Sequence, residues 1–406
     1  MNAKTKVKVL DQEQLLKFEN ELSQEEKEAL YAQIEKLDFS YLEELNKPKT
    51  KKEDVVITPL EPLRVEEREK KKAKLEEIGL KALRKMEVGI LLLAGGMGTR
   101  LGSDAPKGMY NIGKTRDVYI FQRLFENALD VVKMAGNFIP FFIMTSEKNN
   151  EATINFLEEK NYFGYDKNFV KFFVQDMAPC VDLNGKVLLE EKGRVATSPN
   201  GNGGWFNSLL NNKEAKSMLE YYNIKWLNIF SVDNVLQRVA EPAYIGAVLD
   251  GNYQVGVKVV KKVAPTEKVG HICYKNGRPS FVEYIEISEE MINERNKNGE
   301  LVYNYGNVLN DLFSIDLLYW IKDEKLPIHL VKKKVDCVDE KGNTIKPQEP
   351  NAYKFEMLNV DMIDLADSCL VYEVLRETDF APIKNKEGAD SVAVAQVLLE
   401  KNGYVL

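Results

Sequence analysis

The stretch that decides the fold is Ile90-Leu91-Leu92-Leu93-Ala94-Gly95-Gly96-Met97-Gly98-Thr99-Arg100-Leu101-Gly102. Ile90 to Ala94 is a short, continuous apolar run, as a central parallel strand needs when both its faces are buried. The run breaks at Gly95-Gly96. A strand that empties into glycines lets a ligand approach the backbone, and amides left unpaired there can grip a phosphate or the edge of a planar base. A plain tight turn looks the same locally, so the surrounding residues carry the decision. The dinucleotide fingerprint G-x-G-x-x-G fails, because from Gly96 and Gly98 the sixth position is Leu101. No G-x-x-x-x-G-K-[ST] can be written around Lys107, so the loop is not that of GTP and ATP hydrolases. Arg100 in the loop and Pro106-Lys107-Gly108 just after it set two cations beside backbone amides, a clamp suited to charge building up on a phosphoryl group in transfer.

Outward from this loop the pattern repeats. Buried-strand runs recur at Phe138–Thr145, Val170–Gln175, Trp226–Val232 and Val255–Val260, separated by stretches such as Tyr119–Met134 and Ala240–Leu249 that can supply crossover helices. That alternation predicts an open α/β sheet whose ligands bind in the loops at the carboxyl ends of the strands. Before it, residues 1–85 are charge-dense and read as helical. Gln14, Leu15, Phe18 and Leu22 recur at helical spacing, Ser23 with Glu26 has the form of a capping box, and Val65–Met86 reads as a long, largely solvent-facing helix. Lys47–Pro62, with three prolines, reads as a linker. After residue 330, Val331–Val338 suits a strand, Val360–Arg376 a helix and Asp390–Lys401 a closing helix. The expected division is therefore a helical region and linker over 1–85, a core over 86–330 and a small carboxy-terminal region over 331–406.

Composition narrows the chemistry. With 56 Lys plus Arg against 63 Asp plus Glu, the net charge of −7 argues against nucleic acid or an anionic membrane as partner. The amino terminus has no apolar signal stretch, and the longest apolar run, Ile90–Ala94, is far too short to span a bilayer. The four cysteines lie far apart, as expected of reduced thiols, so a cytoplasmic protein is predicted. Only His271 and His329 are present, which leaves little room for a histidine-centred nucleophile or base. Chemistry on Lys, Arg, Asp and a metal ion is expected instead.

The segment LLLAGGMGTRLGSDAPKGMYNIG (Leu91–Gly113) resembles the signature of eukaryotic-type UDP-N-acetylhexosamine pyrophosphorylases, within the wider UDP-sugar pyrophosphorylase family. The resemblance continues in order through FFIMTS (Phe141–Ser146), FFVQDMAPC (Phe172–Cys180), SPNGNGGWF (Ser198–Phe206), FSVDNVL (Phe230–Leu236) and APTEKVG (Ala264–Gly270). It ends with FVEYIEIS (Phe281–Ser288), NYGNVLNDLFS (Asn304–Ser314), KPQEPNAYKFE (Lys346–Glu356) and VYEVLRETDFAPIKN (Val371–Asn385). Two departures stand out. Larger family members run well past this last motif, whereas this chain stops about twenty residues later, so the carboxy-terminal region is expected to be truncated and their oligomeric behaviour is not carried over; a monomer is expected. The loop also carries Met97 where the family pattern has glutamine, a change a loop that works through its backbone should tolerate.

The resemblance implies a Rossmann-like nucleotide-diphospho-sugar transferase fold and uridylyl transfer from UTP to a sugar 1-phosphate, N-acetylglucosamine 1-phosphate first. Glucose 1-phosphate and N-acetylgalactosamine 1-phosphate remain as alternatives, and an inactive nucleotide-sugar-binding protein is a remote one. By resemblance, Arg100 and Lys107 face the triphosphate and Lys354 the sugar phosphate. Ala94, Gly95, Gly96, Gln175, Gly201 and Asn202 read the uracil, whose imide edge suits an amide with one donor and one acceptor end. Gly270, Glu283, Tyr284, Asn304 and Asn307 carry the sugar. Magnesium takes hard oxygen ligands and bridges phosphates through one or two carboxylates, here Asp233 and, second, Asp361, which can also cap a following helix. The run Lys332-Lys333-Lys334 reads as a solvated strand edge.

Overall fold

Ten strands among the described residues form one mixed sheet: β1 (Ile57–Pro59), β2 (Val88–Leu93), β3 (Phe141–Thr145), β4 (Val170–Val174), β5 (Trp226–Ser231), β6 (Val255–Lys261), β7 (His271–Lys275), β8 (Arg278–Val282), β9 (Tyr305–Ser314) and β10 (Cys369–Glu373). The structure is a computed structural model that describes residues 1–46, 55–267, 269–283 and 287–406. It divides into two compact units, each made of three separated segments. The sheet belongs to the larger one, Asp54–Val174, Phe206–Lys325 and Val360–Leu406; the smaller comprises Met1–Glu53, Gln175–Trp205 and Leu326–Asn359. This partition cuts across the linear division at residues 85 and 330, because each unit draws its core from stretches far apart in sequence.

In the larger unit β4, β3, β2 and β5 lie side by side and parallel, with β2 and β3 buried at every position. β9 then runs antiparallel between β5 and β6, and β10 pairs parallel with β6. The chain therefore leaves β2 on one side for β3 and β4, and returns on its other side as β5. Such a reversal opens a crevice at the carboxyl ends of the two strands it separates, β2 and β5.

Helix α2 (Ile120–Ala135) covers the sheet because Phe121, Leu124, Phe125, Ala128 and Val131 form one apolar stripe, and it stops at Gly136, whose φ of +80° suits a residue without a Cβ. Helices α1 (Val65–Arg84), α3 (Asn150–Glu159), α4 (Pro242–Asp250) and α5 (Val392–Lys401) complete the main helical elements. α1 is less solvated than its charge runs suggest. It buries Arg68, Leu75, Gly79, Ala82 and Leu83 and packs on α4, where a Cβ on Gly79 would lie 1.9 Å from the Pro242 carbonyl oxygen and one on Gly246 1.8 Å from that of Leu75.

Two expectations are corrected. Val360–Arg376 is not a helix: a 3-10 turn over Asn359–Leu365 precedes the fully buried strand β10, where pairing with β6 overrides local periodicity. Gln14–Leu22 forms short 3-10 turns instead of a helix, and the first helix is Ala3–Val9.

The smaller unit joins Gln24–Lys36, whose Ser23–Glu26 capping box makes both of its bonds, to a three-stranded sheet of His329–Lys333, Ala352–Glu356 and Val181–Asp182. Leu15, Leu30, Ile34, Phe39, Val181 and Phe355 are its core. Lys332 to Lys334 are exposed, the first two on the edge strand of this sheet.

Candidate active site

The glycine loop leaves β2 at the switch point and is closed on itself. Gly98 N–H donates to Ala105 O (2.9 Å), Ser103 N–H to Gly98 O (3.1 Å) and Lys107 N–H to Gly96 O (3.1 Å). Its first residue is pinned by Ala94 N–H donating to Met144 O on β3 (2.8 Å). Ala94 is buried, Gly95 half-buried and Gly96 exposed, and a Cβ on Gly96 would meet nothing within 4 Å. Arg100 stands exposed on the 3-10 turn Thr99–Leu101.

Lys107 turns back to the neighbouring strand. Its Nζ donates to a carboxylate oxygen of Asp233, two residues beyond β5, with Lys107 12% and Asp233 30% exposed at the side chain. Asp233 itself is held by its backbone: its N–H donates to Ser231 Oγ (3.2 Å) and its carbonyl accepts from Ile383 N–H (2.9 Å). The segment after it is anchored by Asn127 Nδ2, which donates to Val235 O and Gln237 O, and by Lys258 Nζ, which donates to Arg238 O. Lys258 and Arg68 also hold Glu241 below the usual carboxylate range, against the opposite push of its burial. The acid and the lysine therefore come together across the switch point from positions 126 residues apart.

Of the expected sugar residues, Gly270 lies just before β7, Asn304 just before β9, Asn307 on β9 and Glu283 just after β8, all in the larger unit. Gly270 O accepts from Asn307 N–H (3.1 Å), and Asn304 O accepts from Lys262 N–H (2.8 Å). Asn307 lies where the β6–β9 register shifts, two residues before Leu309 at φ +54°. Such a bulge re-aims side chains, and Asn307 Nδ2 is buried with no hydrogen-bond partner among the described residues. Glu283 is half-buried, and Tyr284 lies outside the described residues. Next to Gly270, His271 is buried and its ring is pushed down to about 4, first by burial and then by the Lys262 ammonium, whose Nζ lies 3.0 Å from Nε2. Asp361 lies in the first turn of the 3-10 segment Asn359–Leu365, and strand β10 follows where a helix was expected.

Lys354, Gln175, Gly201 and Asn202 belong to the smaller unit. Lys354 is half-buried on the strand Ala352–Glu356, opposite Val331, and Gln175 is buried. The glycines of Asn200–Gly204 meet their own chain: a Cβ on Gly201, at φ +87°, would fall 2.2 Å from Met357 O, and Asn202 Oδ1 accepts from Asn359 N–H (2.9 Å).

The family described as UTP–glucose-1-phosphate uridylyltransferase matches residues 34–403. The chain belongs to this family. It is 37% identical over 402 residues to human UDP-N-acetylhexosamine pyrophosphorylase-like protein 1, covering 93% of this chain and 79% of that one. It is also 37% identical over 350 residues to the UDP-N-acetylglucosamine pyrophosphorylase of Saccharomyces cerevisiae, covering 82% and 73%. Among solved structures, the Trypanosoma brucei uridine diphosphate N-acetylglucosamine pyrophosphorylase in complex with an inhibitor superposes with a TM-score of 0.82 at 28% identity, covering 97% of this chain and 83% of that one.

Within this family member, sequence reasoning missed the residues that hold the site. Asn127 sits in the middle of a helix and reads as surface, yet it ties α2 to the segment after Asp233. Asn149 stands at the cap position of α3, and its side chain bonds the glycine loop instead of that helix.

Proposed function

We propose that this chain is a uridylyltransferase that forms UDP-N-acetylglucosamine and pyrophosphate from UTP and N-acetylglucosamine 1-phosphate. The observation that carries the reading is the Lys107–Asp233 pair, which joins a cation of the glycine loop to a carboxylate at the switch point. A phosphate oxygen of the sugar 1-phosphate attacks the α-phosphorus of UTP; the new P–O bond forms as the bond to the α–β bridging oxygen breaks, and pyrophosphate leaves with that electron pair. The nucleophile is already anionic, so positioning and charge stabilisation do most of the work and no histidine base is needed.

On this reading Arg100 and Lys107 bind the triphosphate and oppose the charge that moves onto the leaving group. Ala94 to Gly96, Gln175, Gly201 and Asn202 read the uracil. Gly270, Glu283, Asn304 and Asn307 hold the sugar, with the Asn307 amide, whose oxygen end is already taken by Leu309 N–H, offering Nδ2 as a donor suited to an acetamido oxygen, and Lys354 binds the sugar phosphate. Magnesium fits the donor chemistry: Asp233 offers a hard carboxylate oxygen that is part-exposed to solvent, and Asp361 is the second candidate. When bound, the ion neutralises phosphate charge. Four free, buried cysteines agree with a cytoplasmic setting, no helix among the described residues is long and apolar enough to cross a membrane, and the assembly proposed is a monomer.

The family description favours one second reading, glucose 1-phosphate as acceptor. Pyrophosphate release from UTP and magnesium ion is measured with N-acetylglucosamine, N-acetylgalactosamine and glucose 1-phosphates, with a chelator as control. Preference for the N-acetylglucosamine ester is expected. Preference for another sugar overturns the acceptor, undiminished release under chelation overturns the metal, and no release overturns the activity.

A further inference from the structure

We infer that Asn149 is a positioning residue that sets the nucleotide selectivity of the glycine loop, an inference that rests on the proposal that Ala94 to Gly96 faces the base. Asn149 occupies the cap position of α3, yet its side chain makes no bond to that helix. It is 1% exposed, and both ends of its amide are committed elsewhere. Oδ1 accepts from Ser146 N–H (2.8 Å), while Nδ2 donates to Ala94 O (2.9 Å) and Gly96 O (3.3 Å). The reverse amide orientation would set an oxygen against two carbonyls and an NH2 against an N–H, so the network fixes which end faces the loop.

The consequence follows from peptide planarity. In a trans peptide the carbonyl of one residue and the N–H of the next point in opposite directions. Fixing Ala94 O toward Asn149 turns the Gly95 N–H away from it, and fixing Gly96 O does the same for the Met97 N–H. Two consecutive glycines have soft dihedrals, and because Gly96 O is also held by Lys107 N–H (3.1 Å), losing the clamp frees chiefly the Ala94 carbonyl and with it the direction of the Gly95 N–H. The side of Gly96 that a Cβ would occupy is open, which leaves room there for a planar ring. A base is discriminated only if those donors hold still: uracil presents an acceptor at O4 where cytosine presents an NH2 donor, and a fixed N–H donates to the first and opposes the second.

The test uses the full chain and compares UTP with CTP, in binding by calorimetry and in kcat/KM for pyrophosphate release. Asn149→Asp keeps the acceptor for Ser146 N–H and replaces the donor with an oxygen facing two carbonyls; Asn149→Ser removes the donor by shortening the side chain. Both are expected to lower the UTP-to-CTP preference by about tenfold and to raise KM for UTP, with kcat at saturation held within roughly threefold. Asn150→Ala, at the start of the same helix, is expected to leave the preference unchanged. A folded variant with wild-type preference overturns the inference, and so does a loss confined to kcat. If the wild-type chain binds UTP selectively but releases no pyrophosphate, the activity fails and calorimetry still decides Asn149. Equal wild-type binding of UTP and CTP overturns the role of Asn149 whatever the turnover. If neither variant folds, Asn149 is purely structural and the inference falls.

Discussion

Replacing Lys107 by Met removes one ammonium and keeps the length of the stem. The pair it breaks is partly solvated, with Asp233 30% exposed, so it contributes at most about 1 kcal/mol to stability, and the melting temperature should move by only a few degrees. The effect on turnover is larger, because the ammonium acts on charge that develops during transfer. Two unit charges about 4 Å apart at an effective dielectric near 20 interact by about 4 kcal/mol. Screening through the open side of the pair leaves roughly 3 kcal/mol, and at about 1.4 kcal/mol per decade kcat should fall by about 10²-fold or somewhat more. Steady-state pyrophosphate release with N-acetylglucosamine 1-phosphate measures it. The double variant Lys107→Met/Asp233→Asn sharpens the reading: were the pair only a structural link, removing both charges would restore activity, whereas two groups that each act on substrate stay impaired together. Retention of kcat/KM within about threefold in folded Lys107→Met would refute the reasoning.

Gly96→Ala adds a methyl into open space, so its melting temperature should match wild type while KM for UTP rises; Gly201→Ala, which would drive a Cβ into Met357 O, should lose stability first. Thermal unfolding and UTP titration of the two variants distinguish a glycine whose Cβ side is open from one that also packs on its own chain. Gly246→Ala forces a methyl against the Leu75 carbonyl and should cost about 2–3 kcal/mol, read as a clear drop in denaturation midpoint, since both partners are helix backbone that cannot rotate away. Burial, aided by Lys262, lowers His271 to about 4, below the 6.5 of a free imidazole, so the unfolded chain takes the proton first. Stability from this site is whole above pH 6.5 and is lost as pH falls toward 4, by up to about 3 kcal/mol; denaturant melts across that window should show the slope, and His271→Phe should remove it.

The parts of the fold that were legible are those whose signal is local. Val88–Leu93 and Phe141–Thr145 are buried at every position and Trp226–Ser231 at its four central ones, and each appears in the sequence as a mostly apolar run, interrupted in the last by the buried Asn228. Asp233 is singled out by the family resemblance, and its place just past such a run puts it at the carboxyl edge of the sheet. Where the decisive partner is distant, the local signal misleads. Leu370, Val371 and Tyr372 suit a helix as well as a strand, and only the waiting edge of Val255–Lys261 makes them β10. The glycines show the limit most sharply. Gly96 and Gly201 both follow an apolar or extended segment and both invite a ligand-binding reading. Gly96 borders open space, whereas Gly201 is filled by a backbone 156 residues further along the chain. A missing side chain records that something comes close, and only the fold tells whether the Cβ side is open, as at Gly96, or taken by the protein itself, as at Gly201, where the peptide groups remain for a ligand. The same reasoning explains Asn149: its role exists only because the end of β3 lies beside the end of β2, an adjacency that the sheet order creates.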